Sequence, residues 1–445
     1  MSLRSTAFSL KTATIFRGSL RTAQELAAHD AMSVERLREL SDRRMIQQVR
    51  FAMTQTAFYK DFYRRAGIEL GDITSREVFE HLPIVTKEDV RERGPEFVST
   101  EASDRNSRRV ATGGSTGEPL TMKRDARVNP RAYEWRLLAW WGLTPYVDTA
   151  IVYRFFRDQK ATLKQKAVWW PSRRFQLDAF DMTEEAMRDF LTEYARVRPG
   201  LLLGYVGGVL ELARFAAKEN LDVAGSPVIA TTAAPVLWQQ RDEIESVFGG
   251  RVFDHYRCAE LNWIAGECRE RDGLHVFEDL KRLELVDSHM MPVPHGESGQ
   301  VVVTDFTNRV FPLIRYQLGD VTSVKSGPCA CGMPYLRIDN VRGRISDAAV
   351  LPDGDVIAGE ALAQTFSKVA EAVKQFQIHQ HADHSITVKV IPRLSADDPR
   401  IQQAVEAVRT SVRETVPVSL EIVDSLPHEG GKIRFIVSEV GRTNS

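Results

Sequence analysis

Four short stretches carry residue types suited to handling an activated phosphate. At 111–120, ATGGSTGEPL places three glycines and two hydroxyls within the six residues from Gly113 to Glu118. Successive glycines let backbone amides close on an anion, and Ser115 and Thr116 add donors. No Gly-Lys-Ser/Thr ends the loop, so the lysine of a P-loop nucleotidase is missing. DHYRCAEL at 254–261 sets Tyr256, an aromatic that suits a base, four residues before Glu260, a carboxylate that suits a divalent cation. FPLIRYQLGDV at 311–321 is expected to end a strand and turn at Asp320, placed to accept from two ribose hydroxyls, and EGGKIRF at 429–435 holds Lys432 in a glycine loop. Each has a structural alternative: a plain glycine turn, a capped turn, a solvated lysine. Singly, none is diagnostic.

A second constellation involves soft ligands. CACG at 329–332 offers Cys329 and Cys331 on one turn, and GECRERDGLHV offers Cys268 with His275 seven residues on. Three thiols and an imidazole suit a closed tetrahedral zinc site of the structural kind, with Cys258 as the alternative to one of them. Buried free thiols are the structural alternative. Four cysteines in 445 residues are too few for a disulfide scaffold.

The elements that must position these residues follow from periodicity. Residues 20–98 repeat apolar positions three and four apart, which predicts a helical cap, and in LPIVTKEDVRERG Thr86 is expected to N-cap a helix opening with Glu88 and Asp89. From about 108 to 325, strand-like runs (VDTAIVYRF, LLLGYV, SPVIATTAA, RVFDHY, LKRLELV, GQVVVTDF) alternate with helical ones (TEEAMRDFLTEYARV, GGVLELARFAAKEN). That alternation predicts an α/β domain with a largely parallel sheet and ligand loops at strand ends. After Asp347 the pattern changes: an Asp-Gly hairpin in LPDGDVI, a helix in EALAQTFSKVAEAVKQF, strands in QIHQHADHSITVKVIP, a helix in IQQAVEAVRTSVRETV and two more strands. The expected organisation is residues 1–100 as the helical region of a large domain, 101–345 as its α/β core, and 346–445 as a small α+β domain hinged at Gly343 to Asp347.

Totals bound the function classes. With 59 Lys plus Arg against 60 Asp plus Glu, nucleic acid and anionic membrane are not favoured as partners. No window approaches the roughly 18 apolar residues of a membrane span. The basic, hydroxyl-rich start reads as an N-terminal amphipathic helix or arm on a cytoplasmic protein, rather than as a transit peptide.

Taken in order, LPIVTKEDVRE, TGGSTGEP, GYVGGVLELA, YRCAE, FPLIRYQLGD, CACGMPYLRI, GRISD and GGKIR resemble the adenylate-forming superfamily, in its phenylacetate-CoA ligase and CapK-like branch, over nearly the whole chain. The resemblance implies an α/β fold: a large N-terminal adenylate-forming domain with mostly parallel sheets and a helical cap, plus a mobile C-terminal α+β domain. It implies a ligase that makes an acyl-AMP from an organic acid and Mg-ATP, releases pyrophosphate, and passes the acyl group to coenzyme A. Gly113, Gly114, Ser115, Thr116 and Gly117 would then cradle phosphates, Tyr256 would lie on adenine, Asp320 would bind ribose, and Arg344 would approach ribose or phosphate. Glu260 would ligate Mg²⁺, and Lys432 would neutralise the charge that grows as two anions meet. Zinc at the cysteine turn is also a feature of some members of this branch.

The resemblance is imperfect at YRCAE, where Arg257 replaces a common glycine and Ala259 the usual hydroxyl, a loss of about 1 kcal/mol of hydrogen bonding. The aromatic and basic run at 153–175 and the helix opening at Gly207 and Gly208 fall where the family places its acyl pocket, with core packing as the alternative. Two rivals stand beside the CoA ligase: transfer to an amine or hydroxyl acceptor, and a degenerate zinc-stabilised binding protein. The partners implied are a small carboxylic acid and the acceptor, with a homodimer as one assembly state and the acid itself left unnamed.

Overall fold

The computed structural model describes the chain apart from residues 1–2, 112–119, 154–162, 180, 288, 295, 342–347, 353–355, 359–361, 363–364, 367–368, 370–371, 413, 427–435 and 441–445. The chain forms two compact units, one of residues 1–112, 120–318 and 323–340, the other of residues 113–119, 319–322 and 341–445.

The first unit opens with helices α1 (Leu3–Thr14), α2 (Arg17–Asp30), α3 (Val34–Gln55), α4 (Ala57–Arg65), α5 (Arg76–Glu80) and α6 (Lys87–Arg93). The expected cap on α6 is present as a capping box: Thr86 Oγ1 accepts from Asp89 N (3.2 Å), and Asp89 accepts from Thr86 N (2.8 Å).

The β1 (Ser107–Ala111) and β2 (Thr121–Asp125) strands pair as an antiparallel hairpin around the glycine-rich segment. Next come α7 (Pro130–Trp140), β3 (Thr149–Tyr153), α8 (Leu163–Trp169), β4 (Arg174–Asp178), α9 (Glu184–Val197), β5 (Leu201–Tyr205), α10 (Val206–Lys218), β6 (Val228–Thr232), α11 (Trp238–Phe248), β7 (Arg251–Cys258), β8 (Asn262–Glu267) and β9 (Leu274–Val276). The unit continues with the strands β10 (Lys281–Val286), β11 (Ser298–Asp305), β12 (Tyr316–Ser323) and β13 (Arg337–Ile338).

Among the described residues the main sheet has the order β13-β9-β8-β7-β6-β5-β3-β4. The run from β4 through β3, β5 and β6 to β7 is parallel, and β7, β8, β9 and β13 continue it antiparallel. Alternate residues of the central strands feed two cores. Val152, Leu202, Ile229 and Val252 pack under α9, α10 and α11, while Leu201, Val228, Ala230 and Phe253 pack against α2 and α7. A sheet buried on both faces explains the continuous apolar strands.

Two expectations are corrected. LKRLELV and GQVVVTDF do not join the parallel sheet; as β10 and β11 they pair antiparallel in a separate three-stranded sheet with β12. Lys281, buried against Asp305 (3.1 Å), interrupts the apolar alternation there. In the second unit, AVKQF does not end a helix. Strand β16 starts at Val373, where Phe376 stacks on Phe366 (4.0 Å) and so serves the core from a strand.

That second unit contains β14 (Ala348–Val350) and β15 (Val356–Ala358), an antiparallel pair flanking the Asp-Gly signal. A four-stranded sheet follows, ordered β18-β17-β16-β19, from β16 (Val373–Gln380), β17 (Ile386–Pro392), β18 (Val418–Ile422) and β19 (Ile436–Ser438). The helix Pro399–Ser411 covers it, burying Ile401, Ala404, Val405 and Val408 against Ile378, Val388 and Val390.

Candidate functional site

Ligands of an open α/β sheet bind beyond the carboxyl ends of its parallel strands. In the first unit those ends carry Tyr153 on β3, Tyr205 on β5, Thr232 on β6, and Tyr256 and Arg257 on β7. The Tyr153 and Tyr205 rings lie 4.8 Å apart. Just past β6, Ala233 holds φ at +75°, a left-handed conformation a non-glycine residue adopts under constraint, as at ligand clamps. Sequence reading missed Tyr205, Thr232 and Ala233 as site candidates. The signal was their position: each ends or follows a short apolar run that a helix follows.

YRCAE bridges the end of β7 and the turn into β8. Asn262, at φ +60°, closes that turn, and Leu261 N donates to Cys258 Sγ (3.3 Å). Glu260 is buried in the turn and Tyr256 is half-buried. Beneath them His255 is buried against Trp263 (4.7 Å), and burial holds its pKa well below the usual imidazole value, so the ring is neutral. Arg257, the departure from the family glycine, lies over the same Trp263 ring (4.8 Å).

The turn is not free to move alone. Arg124, on the strand that leaves the glycine loop, donates to the carbonyls of Cys258 (3.2 Å) and Ala259. Burial lowers the Arg124 pKa, and the neighbouring Cys258, Asp305 and Glu260 partly offset it. One residue earlier, Lys123 O accepts from Asn308 Nδ2 (3.1 Å), and Asn308 Oδ1 accepts from Val310 N (3.2 Å) and Phe311 N (3.1 Å). Three sequence motifs are thereby tied together: the hairpin that brackets the glycine loop, the Glu260 turn, and the start of FPLIRYQLGD.

Further along that motif, Val85 pairs with Tyr316, Lys87 donates to Leu318 O (2.8 Å), and buried Arg315 bonds Glu284 (3.1 Å) and Glu80 O (2.7 Å). Asp320 sits within β12, after Gly319 at φ +80°, and not at the end of the strand as expected. Gly113, Gly114, Ser115, Thr116, Gly117, Arg344 and Lys432 lie outside the described residues.

The cysteine constellation comes together as expected, without Cys258. The ligand atoms of Cys268, His275, Cys329 and Cys331 all lie within 4.8 Å of one another. Cys268 Sγ is 3.8 Å from Cys329 Sγ, and Cys331 Sγ is 3.4 Å from His275 Nε2. A tetrahedral Zn²⁺ with ordinary bond lengths requires S···S edges of about 3.8 Å and S···N edges of about 3.6 Å. The donor set therefore fits that ion. Burial, with the neighbouring thiols adding, pushes the Cys268 thiol up to about 12, and burial with Arg337 pulls His275 down to about 4. Burial thus disfavours ionised thiols here unless a cation balances their charge, which is what Zn²⁺ would supply. The approach of its two arms depends on Gly273, at φ +86°, where a Cβ would stand 2.8 Å from Ile338 O. Cys258 instead serves the Glu260 turn.

Comparison with known proteins agrees with these motifs. Residues 350–439 match the CapK C-terminal domain family. Protein CapK of Staphylococcus aureus is 21% identical over 95% of this chain and 95% of its own length. The phenylacetate-coenzyme A ligase of Escherichia coli strain K12 is 24% identical over 92% of this chain and 97% of its own. A 2-hydroxyisobutyryl-CoA ligase, solved in the postadenylation state with 2-HIB-AMP, shares the fold with a TM-score of 0.76 at 20% identity, over 92% of this chain and 91% of that one.

Proposed function

We propose that this chain, which belongs to the phenylacetate-CoA ligase and CapK-like branch of the adenylate-forming proteins, is a ligase that activates an aryl or other organic acid with Mg-ATP and transfers the acyl group to coenzyme A. In the first half-reaction a carboxylate oxygen attacks the α-phosphorus, the bond to the bridging β-oxygen breaks, and pyrophosphate leaves. In the second, the thiol sulfur attacks the acyl carbon, the thiol proton is released, and AMP departs with its oxygen.

The observation that carries this reading is the Arg124 strut. It fixes the carboxylate turn of Glu260 to the hairpin that brackets the glycine loop, as a site for a nucleotide's phosphates and their cation needs. Glu260 is assigned to hold Mg²⁺, which when bound neutralises phosphate charge. Tyr256 is assigned to the base, Asp320 and Arg344 to the ribose side, and Gly113 to Gly117 to the departing pyrophosphate. Lys432 supplies the positive charge that lets the acid's carboxylate approach the α-phosphate. Cys268, His275, Cys329 and Cys331 are assigned a structural Zn²⁺. Among the described residues no helix is long and apolar enough to cross a membrane.

The test is acid-dependent exchange of labelled pyrophosphate into ATP across a panel of aryl and aliphatic acids, followed by product analysis with coenzyme A. Lys432→Ala should lower exchange about 10²- to 10³-fold, the loss typical of removing one preorganised charge. Absence of exchange with every acid, together with absence of ATP binding, overturns the reading. Exchange followed by transfer only to an amine or hydroxyl overturns the coenzyme A step and keeps adenylation.

A further inference from the structure

The four-stranded sheet of the second unit carries a cluster that adenylation chemistry does not use. Along β16, Ile378 and Gln380 are fully buried on the core side. His379 and, just past the strand, His381 therefore share the opposite side, two residues apart. Strand β19 runs parallel beside them, with His379 level with Val437 and Gln380 with Ser438, so Glu439 arrives next to His381. His379 Nε2 is 2.8 Å from Glu439 Oε1, and the two imidazoles stack at 4.6 Å. The ligand atoms of all three side chains lie within 4.8 Å of one another.

Their placement is locked by what surrounds them. Gln380, between the two histidines, accepts from Val350 N (2.9 Å) and Ser438 Oγ (2.8 Å) and donates to Val350 O (2.8 Å). Glu439 N donates to Gln380 O (2.9 Å), and the Ala382 N–H bonds the Glu439 carboxylate. The His381 ring is held by Thr387 Oγ1 (2.8 Å), which in turn lies 3.3 Å from Ser419 Oγ. Bonded supports of this kind orient metal ligands and tune their basicity.

We propose that His379, His381 and Glu439 form a divalent transition-metal site, distinct from the Cys/His cluster and taking Zn²⁺, Ni²⁺ or Cu²⁺. Two imidazoles and one carboxylate are borderline donors that suit these ions, whereas Mg²⁺ and Ca²⁺ want oxygen ligands. The site therefore differs in kind from the one that would hold the cation of ATP. A nitrogen and an oxygen bound side by side at about 2.1 Å in a six-coordinate ion lie about 3.0 Å apart, close to the His379 to Glu439 separation. The His379 and Glu439 side chains remain 21% and 41% exposed, which leaves an entry path and room for water to complete the shell.

The experiment uses the full-length protein with its cysteine cluster already loaded with zinc. Zn²⁺ is titrated by calorimetry, and Cu²⁺ by electron paramagnetic resonance, with wild type compared against His379→Ala/His381→Ala and Glu439→Gln. Expected is one further equivalent in wild type with nitrogen splitting from two imidazoles. Excess Mg²⁺ should not displace it, the double variant should bind it about tenfold or more weakly, and Glu439→Gln should weaken it too. An unchanged melting temperature in the double variant shows that it is folded. No further equivalent in wild type, or one that persists equally in the folded double variant, reduces the cluster to a surface ion pair and overturns the proposal.

Discussion

Asp279→Asn tests whether buried charge holds the platform beneath the Cys/His cluster. Asp279 is fully buried between α2 and α7, accepting from His29 Nδ1 (2.8 Å) and Arg136 Nη1 (3.0 Å). The Arg136 guanidinium lies against the rings of Tyr335 (4.8 Å), Phe277 (4.9 Å) and Trp140 (5.3 Å), and its Nε donates to Asp30 (2.8 Å). Trp140 and Tyr335 in turn pack against His275. Burial by itself would raise the Asp279 pKa; attraction to Arg136 and the two hydrogen bonds overcome it and hold the group at about 2.

A carboxyl depressed from about 3.9 to that value contributes roughly 2.5 kcal/mol above the unfolded pKa, and the contribution is lost as pH falls through the folded one. By pH 3 roughly half remains. Breaking a buried pair outright costs about 3–5 kcal/mol, and Asp30 keeps Arg136 partly paired, so the expected loss at pH 7 is about 3 kcal/mol. For a unit of this size that is roughly a 4 °C fall in melting temperature by scanning calorimetry. The deficit of the variant should shrink toward pH 3. A variant melting within a degree of wild type at pH 7, or a deficit that widens on acidification, refutes the argument.

Three further outcomes follow from the same geometry. Metal analysis should find one tightly held zinc per chain at the cysteine cluster, lost in Cys331→Ser and His275→Ala with a lowered melting temperature; full retention in both variants would remove the cluster from that role. Arg124→Ala should lower pyrophosphate exchange about 10- to 100-fold and raise the Mg²⁺ requirement, with Lys restoring part of it, because the Glu260 turn loses its tie to the hairpin; an unchanged Mg²⁺ dependence argues against the strut. Asp254 is raised to about 8 by burial and then by Glu267, so its proton-bound form is the stable folded one. Wild type should lose more stability from about pH 4 to 8 than Asp254→Asn does, and parallel urea-melt profiles for the two proteins would contradict this.

What the sequence made legible was chemistry packed into a few consecutive residues, and what it hid was chemistry assembled across the chain. Thr86 caps its helix as read, because a capping box needs only residues three apart. The candidate metal donors were readable because softness is a property of residue type, although the choice against Cys258 depended on where β8 and β9 bring Cys268 and His275.

Arg124 left no trace, since its partners lie 134 and 135 residues away and its neighbours on β2 are ordinary strand residues. The β16 error has a similar cause. AVKQF has fair helical propensity, and it is strand because Val373, Gln375 and Phe376 pair with Pro392, Ile391 and Val390 of β17 while Phe376 packs on Phe366. QIHQH reads as strand in the sequence and is strand through Gln380, which puts His379 and His381, two residues apart, on one side of the sheet together. What the sequence did not show was Glu439 beside them: β19 brings it there by pairing parallel with β16, and with it a second candidate metal site.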